Sequence, residues 1–205
     1  MFLHCLANKN MKLVKLEKKA IVEIYNERMV FDFPKDELRP LNMILGPYEK
    51  GTYVCYGIND ENSDEILGYA FFVKMDQHYL FDYLAVSDAK RGTGIGTSFL
   101  ALLKEEFRDS DSVIGEVEDP ECAENAEDKE RKLRRLRFYL NNGYIDTNVR
   151  VKLFGVDYIV LEMNLNNSFD EDRIIELYLS HYRNMLPKRL FETMVYIKWN
   201  GDKKW

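Results

Sequence analysis

Leu84-Ala85-Val86-Ser87-Asp88-Ala89-Lys90-Arg91-Gly92-Thr93-Gly94-Ile95-Gly96-Thr97 is the stretch on which the reading of this chain turns. It closes HYLFDYLAV (78–86), an apolar and aromatic run that predicts a strand. It opens TSFLALLKEEF (97–107), where Phe99, Leu102, Leu103 and Phe107 share one helical face. SVIGEVE (112–118) reads as the next strand, so 78–118 has the layout of a parallel crossover. Alternating glycines remove Cβ atoms, which admits positive φ and lets an anion approach the main chain. The N–H groups of such a loop and of the first helical turn attract an anion by hydrogen bonding and dipole together. A P-loop is excluded because no lysine follows Gly96, and a dinucleotide GxGxxG closes one residue too early here. A plain tight turn that happens to use glycine stays open as an alternative.

Working outward, MKLVKL (11–16) alternates like an edge strand, and residues 17–29 carry Ile21, Ile24 and Tyr25 at helical spacing. Pro34 suits a helix start and Pro40 breaks what precedes it. TYVCYGI (52–58) and EILGYAFFVKM (65–75) flank a polar turn and predict a hairpin. Beyond the crossover lie an acidic segment and a helix over 130–143 that stops at Asn141-Asn142-Gly143. Two strands around Gly155 (149–165), a helix in DEDRIIELYLSHYRNM and a strand-like VYIKW complete the chain. The pattern predicts an α/β (α+β) fold with a mixed sheet.

Composition bounds the function. The chain has 205 residues, 46% of them hydrophobic, which is enough for a core without disulfides or metals. Its 29 Lys and Arg against 35 Asp and Glu give a net charge of -6, the wrong sign for phosphate-driven binding, so no nucleic-acid partner is expected. Cys5, Cys55 and Cys122 form no CxxC, a usage that fits a reducing compartment. No run reaches the ~18 apolar residues of a membrane span, and the start lacks the pattern of a secretion signal. A cytoplasmic protein without membrane attachment is expected, with residues 1–10 a tail before a natural-looking start at Met11. His4, His78 and His181 have no ligand spacing, so no metal site is expected.

Arg91-x-x-Gly94-x-Gly96 after a strand ending in Leu-Ala-Val resembles the GNAT superfamily of acyl-CoA-dependent N-acetyltransferases. Arg137-Phe138-Tyr139-Leu140-Asn141-Asn142-Gly143-Tyr144 is similar to that superfamily's second pattern, Phe-Tyr on a helix followed by glycine and an aromatic. The resemblance covers about 11–165 and leaves 166–205 as a C-terminal extension. It implies a GNAT-like, mainly antiparallel sheet with flanking helices and a splayed central parallel pair, here 80–86 and 112–118. It implies acetyl-CoA as donor, its pantetheine arm along Leu84, Ala85 and Val86. Arg91, Gly92, Thr93, Gly94, Ile95, Gly96 and Thr97 would surround the pyrophosphate. Tyr139 takes the place of the acid that protonates the leaving sulfur, its alternative being a core aromatic. The acceptor implied is a small-molecule or peptide amine, attacking directly through a tetrahedral intermediate.

The strand period puts Glu116 and Glu118 on one face, where either could serve as base, Glu116 being the deeper; a solvated strand end is the alternative. Glu37 is better read as a surface residue. The acidic run 116–130 reads as a solvated segment that would also favour a cationic acceptor. Two other readings stay open: a non-catalytic acyl-CoA sensor, and an interaction module built on 166–205. In the second, Ile174, Ile175, Leu177, Leu179 and Tyr182 would dock onto the chain's own sheet or onto a second copy in a homodimer.

Overall fold

The computed structural model describes residues 10–35, 37–165 and 170–198; the expected tail at 1–10 lies outside these apart from Asn10. The chain forms two compact units. One comprises the chain up to Asp76 with Phe81–Asp109, and the other Gln77–Leu80 with the chain from Ser110 onward.

In the first unit, β1 (Met11–Lys15), β2 (Tyr53–Asp60), β3 (Gly68–Met75) and β4 (His78–Val86, from residue 81 onward) lie side by side in that order. β1 pairs antiparallel with β2 and β2 with β3, Met11 opposite Asp60 and Tyr53 opposite Val73. The expected edge strand and hairpin are both present. α1 (Lys18–Ile24) carries Ile21 and Ile24 inward, then continues through a π-helical turn (Tyr25–Met29) and a short helical turn (Val30–Asp32). It therefore runs three residues past its expected end. Phe33 then turns extended, as the residue before a proline prefers.

α2 (Leu41–Glu49) is a helix the sequence reading lacks: Pro40 caps its start, and Pro47 sits inside it. Ile21, Ile24, Met29 and Ile44 pack on Tyr53, Cys55, Tyr69, Phe71, Tyr83 and Ala85. α3 (Ile95–Glu106) follows the glycine loop. Phe107, just past its end, meets Tyr56 and Phe72 edge-on, and Phe72 lies 4.5 Å from Phe81.

In the second unit the strand order is β5 (Ser112–Glu118), β7 (Val156–Met163), β6 (Tyr144–Leu153), β8 (Val195–Lys198), all antiparallel. The first residues of β4 belong to this unit and run beside β5 as the sheet's parallel pair. The mixed, mainly antiparallel α/β sheet with flanking helices is thus the fold class expected. α4 (Ala126–Asn141) begins four residues before its expected start, because Asn125 accepts the Asp128 N–H at 2.9 Å and caps it. Glu127 and Asp128 suit the positive end of the helix dipole, so part of the acidic segment is helix rather than loop. Gly143 at φ 86° ends the helix as expected.

α5 (Glu171–Met185) is capped by Asp170, and α6 (Lys188–Met194), absent from the sequence reading, leads into β8. Among the described residues no helix is long and apolar enough to cross a membrane, and no group of three or more His, Cys, Asp or Glu could hold a metal ion.

Candidate active site

The glycine loop is built by its main chain. After β4, a 3-10 turn (Asp88–Lys90) leads to Gly92 at φ 76° and Gly94 at φ 87°, conformations that suit glycine. Gly94 is the N-cap of α3 and offers no side chain, so the N–H groups of Ile95, Gly96 and Thr97 have no side-chain cap. Arg91, Gly92, Thr93 and Gly94 are exposed, Gly96 and Thr97 half-buried, and Ile95 is buried as the helix's anchor. Arg91 meets Asp88 at 2.7 Å in an exposed pair, and the Thr93 hydroxyl donates to the Lys90 carbonyl. Of the loop residues expected to hold an anion, Gly94, Ile95, Gly96 and Thr97 form the helix start, and the Arg91 side chain is turned to Asp88.

The strand feeding the loop has a directional main chain. The Ser87 N–H donates to the Leu67 carbonyl at 2.8 Å, and a Cβ on Gly68 would meet the Ala85 carbonyl oxygen at 2.9 Å. Residues 85 and 87 therefore turn their polar atoms towards β3, and strand alternation turns those of Leu84 and Val86 to the opposite edge. Ala85 itself is buried in the first unit's core.

Earlier in β4 the side-chain alternation slips. Asp82 accepts from the Tyr53 hydroxyl and, at 3.0 Å, from Arg39 Nε. The adjacent Tyr83 packs on Phe33 and Phe71, its hydroxyl donating to the Glu37 carbonyl and accepting from the Arg39 N–H. Neighbours that share one face are what a bulge produces. Burial, then the Asp82 carboxylate, push the Tyr53 hydroxyl well above the usual tyrosine range. This network escaped the sequence reading, although Asp82 is the one charge inside an otherwise apolar and aromatic strand. Glu37 lies exposed in a turn, held by its carbonyl.

In the second unit, Tyr139 projects inward from α4, 5% exposed, and packs edge-on against Tyr144 at 5.3 Å. Burial raises its hydroxyl above the usual tyrosine range and Arg135 opposes the rise, so the group is protonated at neutral pH.

Glu116 and Glu118 share a strand face but not an environment. Glu118 accepts two bonds from the Arg131 guanidinium at 2.8 and 3.0 Å, with Lys132 at 3.5 Å. Burial alone would raise its carboxyl, but Arg131 and Lys132 outweigh it and hold it below the ordinary range. Glu116 accepts from the Tyr182 hydroxyl of α5 at 2.7 Å. Asp128 and Glu121 are also paired, with Lys132 and Lys129, so much of the acidic run is neutralised within its own unit.

Around Glu116 lies a cluster that sequence reasoning missed. The rings of Tyr178 and Tyr182 pack in a tilted pair at 4.9 Å, and His181, between them in sequence, is 1% exposed with neither ring nitrogen hydrogen-bonded among the described residues. Burial, helped by His78, brings the His181 imidazole down to about 4. The available signal was the i, i+3, i+4 spacing of three polar-headed rings on an otherwise apolar helix face.

Against known proteins, the model of the acetyltransferase (GNAT) family matches residues 18–126. A search of curated proteins by sequence finds no match. Among solved structures, a protein of the GNAT family from Bacteroides thetaiotaomicron superposes with a TM-score of 0.63 at 20% identity, covering 86% of this chain and 99% of that one. The ribosomal-protein-S18-alanine N-acetyltransferase of Escherichia coli gives 0.57 at 14%, covering 78% and 97%. A Salmonella typhimurium protein solved with its cofactor acetyl-CoA gives 0.53 at 20%, covering 80% and 98%. With more than half of its length matched by that family's model and the same fold in these structures, this chain belongs to the acetyltransferase (GNAT) family.

Proposed function

We propose that this chain is an N-acetyltransferase that moves an acetyl group from acetyl-CoA to a primary amine, by direct attack and without a covalent enzyme intermediate. The observation that carries the reading is the start of α3: an exposed glycine loop containing Arg91 leads into main-chain N–H groups that no described side chain caps. That suits a pyrophosphate held by the loop and the helix dipole. The outward-turned N–H groups of Leu84 and Val86 would pair with the pantetheine arm, and one could stabilise the thioester oxygen as charge develops there. A single such donor is typically worth ~10²–10³ in rate.

On the acceptor side we assign the base to Glu116 rather than Glu118. A carboxylate clamped by Arg131 and Lys132 is a weak proton acceptor, whereas the described donor to Glu116 at 2.7 Å is a neutral phenol. The ammonium proton passes to Glu116, the neutral amine attacks the acetyl carbon, and the tetrahedral intermediate collapses with cleavage of the C–S bond. The second nitrogen proton leaves through solvent to replace the one given to the sulfur. Tyr139, kept protonated, would supply the proton that the departing sulfur takes. The deep burial of Tyr139 favours one second reading, a module that binds acyl-CoA without transferring the group.

Calorimetry with CoA and acetyl-CoA, followed by thiol release across an amine panel, tests both. Binding with amine-dependent thiol release is expected. Binding without release points to the second reading, and absence of binding sinks both.

A further inference from the structure

We propose that the C-terminal helix α5 is part of the catalytic apparatus, with Tyr182 as the positioning residue that holds the carboxylate of Glu116. The inference rests on the reading of Glu116 as base and extends it to an element beyond the family's matched residues, which end at 126.

Three observations carry it. First, Tyr182 Oη lies 2.7 Å from Glu116 Oε1 across 66 residues of sequence, a contact that exists only because α5 packs within this unit. Second, the phenol cannot wander. Tyr182 is buried and packed at a tilt against Tyr178, and the first turns of α5 are tied down by the Asp170 cap and by Arg173 donating to Glu162 at 2.6 Å. Glu162 in turn accepts the Ser112 hydroxyl at 2.7 Å, on the strand that carries Glu116. Third, Ile174, Ile175, Leu177 and Tyr178 are buried by the chain's own unit, so the helix face read as a docking surface is already used at home.

A neutral donor on one carboxylate oxygen favours the ionised form and fixes one rotamer. Of the described titratable groups on α5, Tyr182 and Tyr178 act on Glu116; His181 lies between them in sequence and interacts with His78 of β4, which has Asp111 at 3.9 Å. The Glu118–Arg131–Lys132 cluster lies two residues along the strand, and the register partner on β7 is the apolar Val160.

The test needs no known acceptor in its first arm. The Glu116 side chain of the full chain is titrated by NMR with 13C-labelled glutamate, assigned by the signal lost in Glu116→Gln. In Tyr182→Phe the midpoint rises by at least about 0.5 pH, because the donor to the ionised form is gone. Placing 3-fluorotyrosine at position 182, a stronger donor that keeps the ring, moves it the other way and serves if the phenylalanine variant does not fold. A midpoint unmoved by the folded substitution overturns the proposal.

The second arm uses an amine turned over in the panel. Tyr182→Phe lowers kcat about tenfold with CoA affinity unchanged, and the double variant with Glu116→Gln is no slower than Glu116→Gln alone. Additive losses overturn the positioning role. Full turnover by Glu116→Gln instead removes the base assignment, and the inference with it.

Discussion

The glycine loop at 87–97 and the segment from β5 into α4 at 112–141 both concentrate functional groups, and they do so by opposite means. The loop works through its main chain. Two residues at positive φ expose N–H groups, and its one ion pair, Arg91 with Asp88, is exposed on both sides, a kind worth little. The β5–α4 segment works through side chains, most of them already engaged with one another. Glu118, Asp128, Arg131 and Lys132 form a closed network that fastens the helix to the strand. An acidic run of this kind is a clamp more than a field, and Glu116 differs in accepting from the neutral phenol of Tyr182.

The largest effect should come from breaking the main-chain half. Gly94→Val meets no atom of the described residues within 4 Å of the added Cβ, so its cost is backbone strain of about 1–2 kcal/mol at φ 87°. The helix start must shift to relieve it, and CoA affinity measured by calorimetry should fall about a hundredfold, the scale on which charge-assisted bonds to a phosphate act. Gly94→Asn, which tolerates this region better, should recover most of the stability. Unchanged CoA affinity in the valine variant would remove the loop from the cofactor site and with it one side of the contrast.

The next effect, on α5 of the same unit as the side-chain half, concerns stability against pH. His181 is buried neutral at about 4, below its unfolded value of 6.5. Between those values the unfolded chain binds the extra proton, so stability should decline as pH falls from 6.5 to about 4 and level off below. The loss should be about 1–3 kcal/mol, read from denaturant midpoints across that window. His181→Phe should flatten the decline; a slope that persists in the variant would assign it to other groups.

A smaller effect is expected at Tyr139, where removing the hydroxyl keeps the ring that packs on Tyr144. Tyr139→Phe should reduce turnover about tenfold, below the usual range of acid catalysis because a thiolate leaves without much help. Thermal stability should not change. Full turnover would make Tyr139 a core aromatic and leave Glu116 as the segment's only chemical group.

These two regions also differ in how far they can be read without coordinates. The loop is local: strand, glycines and helix follow one another within twenty residues, so their order carries their geometry. The strand hosting Glu116 and Glu118 is equally local, and its bounds at 112–118 match the expectation. What separates the two glutamates is not local. Arg131 reaches Glu118 from α4, and Tyr182 reaches Glu116 from a helix more than sixty residues away. A period of two makes the pair equivalent, and only tertiary packing distinguishes them. α2 was hidden for a different reason: Pro47 inside LNMILGPYE signals a break, whereas the helix tolerates the lost N–H within nine residues. The Asp82–Arg39–Tyr53 network joins three separate segments, and no spacing rule links them.

The finest test of the contrast is at Glu118. Arg131 and Lys132 hold its carboxyl below the ordinary range, and the same two cations bring Asp128 down to about 2. A carboxylate with a lowered folded-state value stabilises the protein above its unfolded value and loses that contribution as pH falls. The clamp should therefore be at full strength at neutral pH and weaken from about 4.5 towards 2. Glu118→Gln keeps the shape and removes the charge, so the drop in melting temperature over that acid window should become shallower. At neutral pH the variant's turnover should stay within about threefold of the parent, since a half-exposed ion pair has little to give. A rate loss near a hundredfold in Glu118→Gln would instead exchange the roles of the two carboxylates, making the clamped residue the base and Glu116 a structural partner of α5.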